Sequence, residues 1–280
     1  MKRITFISTI VIILFGCNNK VSESVDFNRS AKVIGYLPFH WFDQSANIEY
    51  CKLTHLNLSF ANPNTSGDLI AEPIGNIVND ARSVNPKIKV FISLAGGTSD
   101  SQIIKNWSNL IDKEANRPAF IAKIVDYVLI NNLDGVDVDL EWDLVTEGYS
   151  EFVIALNTAL DSHEKMLTAA LPNNTRFTNI TNEALNVFDF INIMAYDATG
   201  PWAINNPGQH SSLQYSKDGV NFWKSYVNIS ANRLTLGVPF YGYNFGVNPV
   251  SSVTFQQVVA QNSTLSDLDQ FEEIYYNGRK

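Results

Sequence analysis

Basic runs, paired histidines and cysteines are all scarce in this chain, and each scarcity removes a class of function. Lys and Arg number 20 against 28 Asp and Glu, giving a formal net charge of −8 over 280 residues. An acidic chain with no cluster of positive side chains is a poor partner for nucleic acid or for an anionic membrane surface. The four histidines, His40, His55, His163 and His210, show no spacing of paired metal ligands, so each is expected on the surface or as a satisfied core residue, and no metal or cofactor is implied. Two cysteines, Cys17 and Cys51, are too few for a disulfide-stapled scaffold. No internal repeat or low-complexity tract is present.

The one long apolar run, Ile4 to Phe15, covers 12 residues, too short to span a bilayer comfortably. It follows Lys2 and Arg3 and ends Leu14-Phe15-Gly16-Cys17. A charged n-region before an apolar h-region is the pattern of an export signal, and the ending resembles a bacterial lipobox, although Phe15 is larger than the residue usual there. Residues 1–16 are therefore expected to be removed and Cys17 lipidated. Residues 17–31, polar and unpatterned, then form a tether to the folded domain at 32–280. The alternative is an ordinary signal peptide with an incidental cysteine. Lipidation places the protein in the bacterial envelope, at the outer membrane or cell surface, and leaves Cys51 as the only thiol, with no intrachain disulfide. Loss of Lys2 and Arg3 brings the mature net charge near −10.

With 45% hydrophobic and 17% charged residues, the chain has ample material for one large core. Short aliphatic runs alternate with longer amphipathic ones, the pattern of βα units around a parallel sheet. Strands are predicted at Lys32–Leu37, Thr54–Phe60, Ile88–Leu94, Gly135–Leu140, Met166–Leu171, Phe190–Met194 and Leu234–Val238. Helices are predicted at Ile74–Val84, Pro118–Asn131, Tyr149–Ser162, Leu213–Tyr226 and Phe255–Ala260. The expected fold is α/β, a (β/α)₈ TIM barrel, which suits roughly 250 residues. Seven strands are found, so the barrel is expected to lack its eighth strand at the C-terminus.

The most informative segment is Asp134-Gly135-Val136-Asp137-Val138-Asp139-Leu140-Glu141. Side chains two apart on a strand share a face, so Asp137, Asp139 and Glu141 line one side while Val136, Val138 and Leu140 line the other. Like charges crowded in a dry site cannot all ionise, and at least one pKa must rise. That costs stability, and it suits an enzyme that needs a protonated carboxylic acid near neutral pH. A solvated edge strand fits poorly, because Tyr127, Val128, Leu129, Ile130 and Leu133 before it and Trp142 and Leu144 after it are apolar. A calcium loop counted from Asp137 would need Gly sixth and Glu twelfth, where Trp142 and Gly148 stand. A divalent site of another kind stays open.

The run Asp-x-x-Asp-x-Asp-x-Glu resembles the signature of glycoside hydrolase family 18, the chitinases and chitinase-like endo-β-N-acetylglucosaminidases. Other segments fall in that family's order. Lys89 to Gly97 resembles its third strand with a Ser-x-Gly-Gly end, Ala95 replacing the first Gly. Met194-Ala195-Tyr196-Asp197 is similar to its sixth-strand motif, followed by Gly200 and Trp202, and Leu236 to Gly242 is similar to its seventh strand. In this family the eighth strand carries a Trp that floors the sugar pocket. The five tryptophans, at 41, 107, 142, 202 and 223, include none in that place.

The resemblance implies retaining, substrate-assisted hydrolysis of β-1,4-linked N-acetylglucosamine glycans, with Glu141 as acid and base, Asp139 holding the substrate acetamide, Asp137 below it, and Tyr196 donating to the acetamido carbonyl. Ser93 is expected to hydrogen-bond Asp137 from below. Asp197, Trp202 and Met194 are expected at the sugar, and Tyr36 and Phe60 either line the pocket or pack in the core. Trp142 is expected behind the strand and Trp223 in the core, while Trp41 and Trp107 are undecided. The implied partner is a chitin-like oligo- or polysaccharide met by a monomer. An N-glycan-core substrate, or a non-catalytic carbohydrate-binding member of the family, remains the alternative.

Overall fold

The computed structural model describes residues 31–261, and the expected leader, the expected lipidation site at Cys17 and the C-terminal segment after residue 261 lie outside them. Strands β1 (Ile34–Pro38), β2 (His55–Pro63), β4 (Lys89–Ala95), β5 (Gly135–Asp139), β6 (Met166–Pro172), β7 (Phe190–Met194) and β8 (Leu234–Leu236) pair in that spatial order, all parallel. A two-residue strand β3 (Leu69–Ile70) adds antiparallel to the end of β2. Helices α1 (Gly75–Val84), α2 (Ser101–Ile111), α3 (Arg117–Ile130), α4 (Tyr149–Asp161), α5 (Asn182–Val187) and α6 (Leu213–Asn221) fill the crossovers. All seven predicted barrel strands are present, curled as a TIM barrel. Among the described residues no strand joins β1 to β8. Two contacts reach across that gap instead: Lys32 Nζ donates to the Asn232 carbonyl at 3.2 Å, and Asn192 Nδ2 to the Tyr36 hydroxyl at 2.9 Å.

Strand alternation sorts the core. Leu56, Leu58, Val90, Ile92, Val136, Val138, Leu167, Ala169, Ile191 and Ile193 face outward and join the apolar cluster beneath the helices. Trp107 belongs to that cluster, edge-on to Phe120 and Phe152 at 5.4 and 6.1 Å. Trp223, on the π-helical turn that continues α6 over Phe222–Tyr226, is also fully buried. The inward set is polar above and aromatic below.

Three elements depart from expectation. Helix α2 was not anticipated, although the Asp100 carboxylate caps it by accepting from the Gln102 and Ile103 backbone N–H groups. The seventh-strand motif stops at Leu236, because Pro239 has no N–H to continue a ladder. The chain then turns into an antiparallel hairpin, β9 (Tyr241–Asn244) with β10 (Ser251–Thr254), followed by α7 (Phe255–Gln261). Finally, Cys51 is buried and disulfide-bonded.

At the N-terminal end of the barrel, His55 lies edge-on to Phe91 and Phe190 with ring centroids 5.7 and 5.1 Å away. Burial, with help from Lys32, lowers its pKa from 6.5 to about 4. The folded protein keeps this imidazole neutral while the unfolded chain protonates it. Its contribution is therefore intact above pH 6.5 and is lost as pH falls toward 4, about 3 kcal/mol at full effect. Thermal unfolding of wild type and His55→Gln between pH 7.5 and 4.5 checks this. The gap between the two melting temperatures is expected to shrink on acidification, and a constant gap contradicts it.

Candidate active site

The barrel floor rises to a hub at Asp137, which is fully buried and accepts four hydrogen bonds: from Ser93 Oγ at 2.8 Å, Tyr36 hydroxyl at 2.9 Å, Thr168 Oγ1 at 2.6 Å and Asn192 Nδ2 at 3.2 Å. These donors come from β4, β1, β6 and β7, and Thr235 on β8 donates to Asn192 Oδ1 at 2.6 Å. One carboxylate thus ties together six of the seven barrel strands. Register makes this possible, since Ser93, Asp137 and Thr168 are direct neighbours across β4, β5 and β6. Burial pushes the Asp137 pKa up, and the four donors, which stabilise the anion, oppose that rise.

Asp139, one step higher on the same face, lacks such help. It is buried, and its Oδ1 has no hydrogen-bond partner. Burial, then the charges of Glu141 and Asp137, hold its pKa well above the ordinary carboxylate range. Glu141 continues the extended backbone just past β5, with φ −118° and ψ 154°, so it keeps the inward orientation at the mouth. Burial raises its pKa and the Asp197 charge adds to that, while the Gly97 backbone N–H works against it. Asp139 and Glu141 titrate as a linked pair. All three carboxyls are raised by burial, but at Asp137 four donors oppose the rise, whereas at Asp139 the neighbouring charges add to it.

The β4 exit shapes the mouth. Ala95 and Gly96 take φ of 76° and 71°, the left-handed region that costs a non-glycine residue about 1–2 kcal/mol. Ala95 is held there by Asn62 Nδ2 on its carbonyl at 3.0 Å, and the Gly96 N–H donates to the Asp139 carbonyl at 2.9 Å. A β-carbon on Gly96 would sit 2.6 Å from the Phe60 ring, and one on Gly97 3.0 Å from Glu141 Oε1. Phe60 therefore lies against the turn beside the acids.

Across the mouth, Tyr196 follows β7. Burial, then the negative charges of Asp139 and Glu141, raise its pKa, so it remains a neutral hydroxyl donor. Met194 is half-buried two residues below. Asp197, at φ 62°, accepts from the Tyr241 hydroxyl at 2.9 Å to each oxygen and from the Tyr243 hydroxyl at 2.9 Å. Burial pushes this carboxyl up, but the bonds from His210, Tyr241 and Tyr243 outweigh it and hold it below the usual range. Trp202 stands 62% exposed, edge-on to Tyr243 at 5.6 Å. Trp142 corrects an expectation. Instead of packing behind β5 it is 64% exposed beside Phe177, because its φ of 48° turns the chain outward there.

The structure thus gathers Glu141, Asp139, Asp137, Ser93, Tyr36, Phe60, Met194, Tyr196, Asp197 and Trp202 at one end of one barrel. The sequence reading missed Thr168, Tyr241, Tyr243 and His210. Thr168 carried a usable signal, as the inward position of a strand register. The tyrosines did not, since they arrive on a hairpin beyond the last predicted strand. Among the described residues no group of three or more His, Cys, Asp or Glu is arranged to hold a metal ion.

Comparison with known proteins agrees with this geometry. Chitinase 1 of Aphanocladium album is 26% identical over 253 residues, covering 72% of this chain and 57% of its own. Chitinase A1 of Niallia circulans is 24% identical, covering 85% of this chain and 46% of its own. The chain therefore spans about half the length of these relatives. Among solved structures, the family 18 chitinase ChiB from the chitin utilization locus of Flavobacterium johnsoniae superposes with a TM-score of 0.84 at 55% identity, over 89% of this chain and 80% of that one. A chitinase from Bacteroides thetaiotaomicron gives 0.72 at 27% identity, over 88% and 81%. The sequence profile of the glycosyl hydrolases of family 18 matches residues 32–277, and this chain belongs to that family.

Proposed function

We propose that the protein hydrolyses β-1,4 linkages between N-acetylglucosamine units of chitin or chitooligosaccharides, with retention of anomeric configuration and assistance from the substrate's own acetamide. The observation that carries this is the acid row itself: Asp137 accepts four hydrogen bonds that oppose the rise burial imposes, and above it on the strand Asp139 and Glu141 are raised together. Glu141 gives its proton to the glycosidic oxygen as the anomeric C–O bond breaks and the acetamido oxygen closes onto the anomeric carbon. The resulting oxazolinium ion carries positive charge, which Asp139 stabilises through the acetamido N–H. Water then attacks the anomeric carbon, displacing the acetamido oxygen so that the acetamide re-forms, and gives its proton to Glu141, restoring the acid. Tyr196, kept neutral, donates to the acetamido oxygen, and Trp202 offers a flat apolar face to a pyranose ring.

The test is chitotetraose followed by proton NMR from the first minutes of reaction. The reading expects disaccharide whose new reducing end appears first as the β-anomer and relaxes later to the α/β mixture. An α-anomer first, or no cleavage of chitotetraose, contradicts it. An N-glycan core glycopeptide run in parallel separates the alternative substrate.

A further inference from the structure

His210 sits in the loop after Trp202, and nothing in its sequence context sets it apart from the other histidines. In the fold its ring meets Asp197 twice through one nitrogen. The Asp197 backbone N–H points at His210 Nδ1 from 3.3 Å, and Asp197 Oδ1 lies 3.3 Å from the same atom. The other ring nitrogen, Nε2, is 3.0 Å from the Tyr241 carbonyl oxygen. A carbonyl only accepts, so Nε2 carries a proton in this geometry. In a neutral ring Nδ1 is then bare and accepts from the Asp197 N–H. Once the ring binds a second proton, the same Nδ1 becomes a donor, and the adjacent carboxylate oxygen is its acceptor.

We propose that His210 is a proton-controlled positioning residue for Asp197: its Nδ1 accepts from the Asp197 backbone when neutral and donates to the Asp197 carboxylate when protonated, keeping that carboxylate charged and aimed at the cleft as the medium acidifies. The proton comes from solvent, and the ring keeps its Nε2 bond to Tyr241 in both states, so no side chain has to leave its place. The titratable groups against the ring are Asp197, from the loop after β7, and Tyr241 and Tyr243, both from β9, with ring centroids 5.4 and 5.2 Å away. Tyr196 stands behind Tyr241 at 6.2 Å, and Asp197 in turn acts on Glu141. Imidazole is the side chain that ordinarily changes charge between pH 5 and 8. The role in catalysis rests on the proposed hydrolysis; the switch itself does not.

The experiment therefore has two arms. In the first, the ring nitrogens of ¹⁵N-labelled protein are titrated from pH 8 to 4, with His210 assigned through its own backbone resonances. Protonated Nε2 and bare Nδ1 are expected at pH 8, Nδ1 protonation on acidification, and a midpoint lowered by about 0.5 unit or more in Asp197→Asn, where the anionic partner is gone. A ring protonated on Nδ1 at pH 8, or a midpoint indifferent to Asp197→Asn, overturns the proposal even if the enzyme assignment stands. In the second arm, kcat/KM for chitotetraose is profiled against pH in wild type and His210→Gln, which cannot gain a charge. The acidic limb is expected to move up by about 0.5 pH unit, carried by KM, with kcat on the plateau changed less than threefold. An unmoved limb removes the role in catalysis. Absence of wild-type hydrolysis defeats the functional reading and leaves the first arm to decide the switch.

Discussion

Glu141→Gln is expected to lower kcat on chitotetraose by about 10³-fold while leaving its dissociation constant within a few-fold of wild type. General acid–base catalysis by one positioned group is worth about 10²–10⁴, and glutamine keeps the shape of glutamate without a proton to give or take. On the proposed mechanism the effect falls on kcat, because Glu141 would act on the bond being broken while Trp202, Tyr196 and Asp197 would supply the binding face. Initial rates and isothermal titration calorimetry on the same preparations check both halves. Turnover within tenfold of wild type removes Glu141 from the chemistry. A parallel loss of binding makes it a sugar-holding group instead.

Asp137→Ala is expected to be the most damaging single change to the fold. It leaves the Ser93, Tyr36, Thr168 and Asn192 donors facing a cavity. Removing one partner of a buried, hydrogen-bonded charge typically costs about 3–5 kcal/mol, and a single unpaired buried donor about 1–3. A drop in melting temperature of roughly 10 °C follows for a chain of this size. Because the hub ties β1 to β7 across the side of the barrel where no strand pairs among the described residues, β1 and β8 should lose hydrogen-exchange protection first. Asp137→Asn restores one acceptor and should recover part of the stability. A melting temperature for Asp137→Ala within 2–3 °C of wild type means the four bonds do not hold the barrel.

Much of this architecture was legible in the sequence, for a physical reason. Parallel strands buried under helices read as aliphatic runs, and each of the seven predicted runs is a barrel strand. Alternation then gave the facing of Asp137, Asp139 and Glu141, because a strand admits only two faces. What escaped was set by tertiary contact or by backbone torsion. Trp142 follows the acid row directly, yet a left-handed φ sends it into solvent. The predicted strand Leu234–Val238 stops at Leu236, and the chain after Pro239 delivers Tyr241 and Tyr243 to Asp197 on a separate hairpin. Helix α2 is a plain omission, since Asp100 before Ile103, Ile104, Trp107 and Leu110 is a cap ahead of a helical stripe. His210 gave no sign in one dimension: its partners Asp197 and Tyr241 lie 13 and 31 positions away.

The most direct measurement is the protonation of the acid row itself. Carboxyl ¹³C shifts of labelled Asp and Glu, followed from pH 3 to 9 and assigned with Asp139→Asn and Glu141→Gln, report each group in place. The Asp139 and Glu141 pair should still hold one proton at a pH where the exposed carboxyls have lost theirs. If all three carboxyls instead lose their protons together near pH 4, no acid remains to serve a departing sugar and the account is wrong.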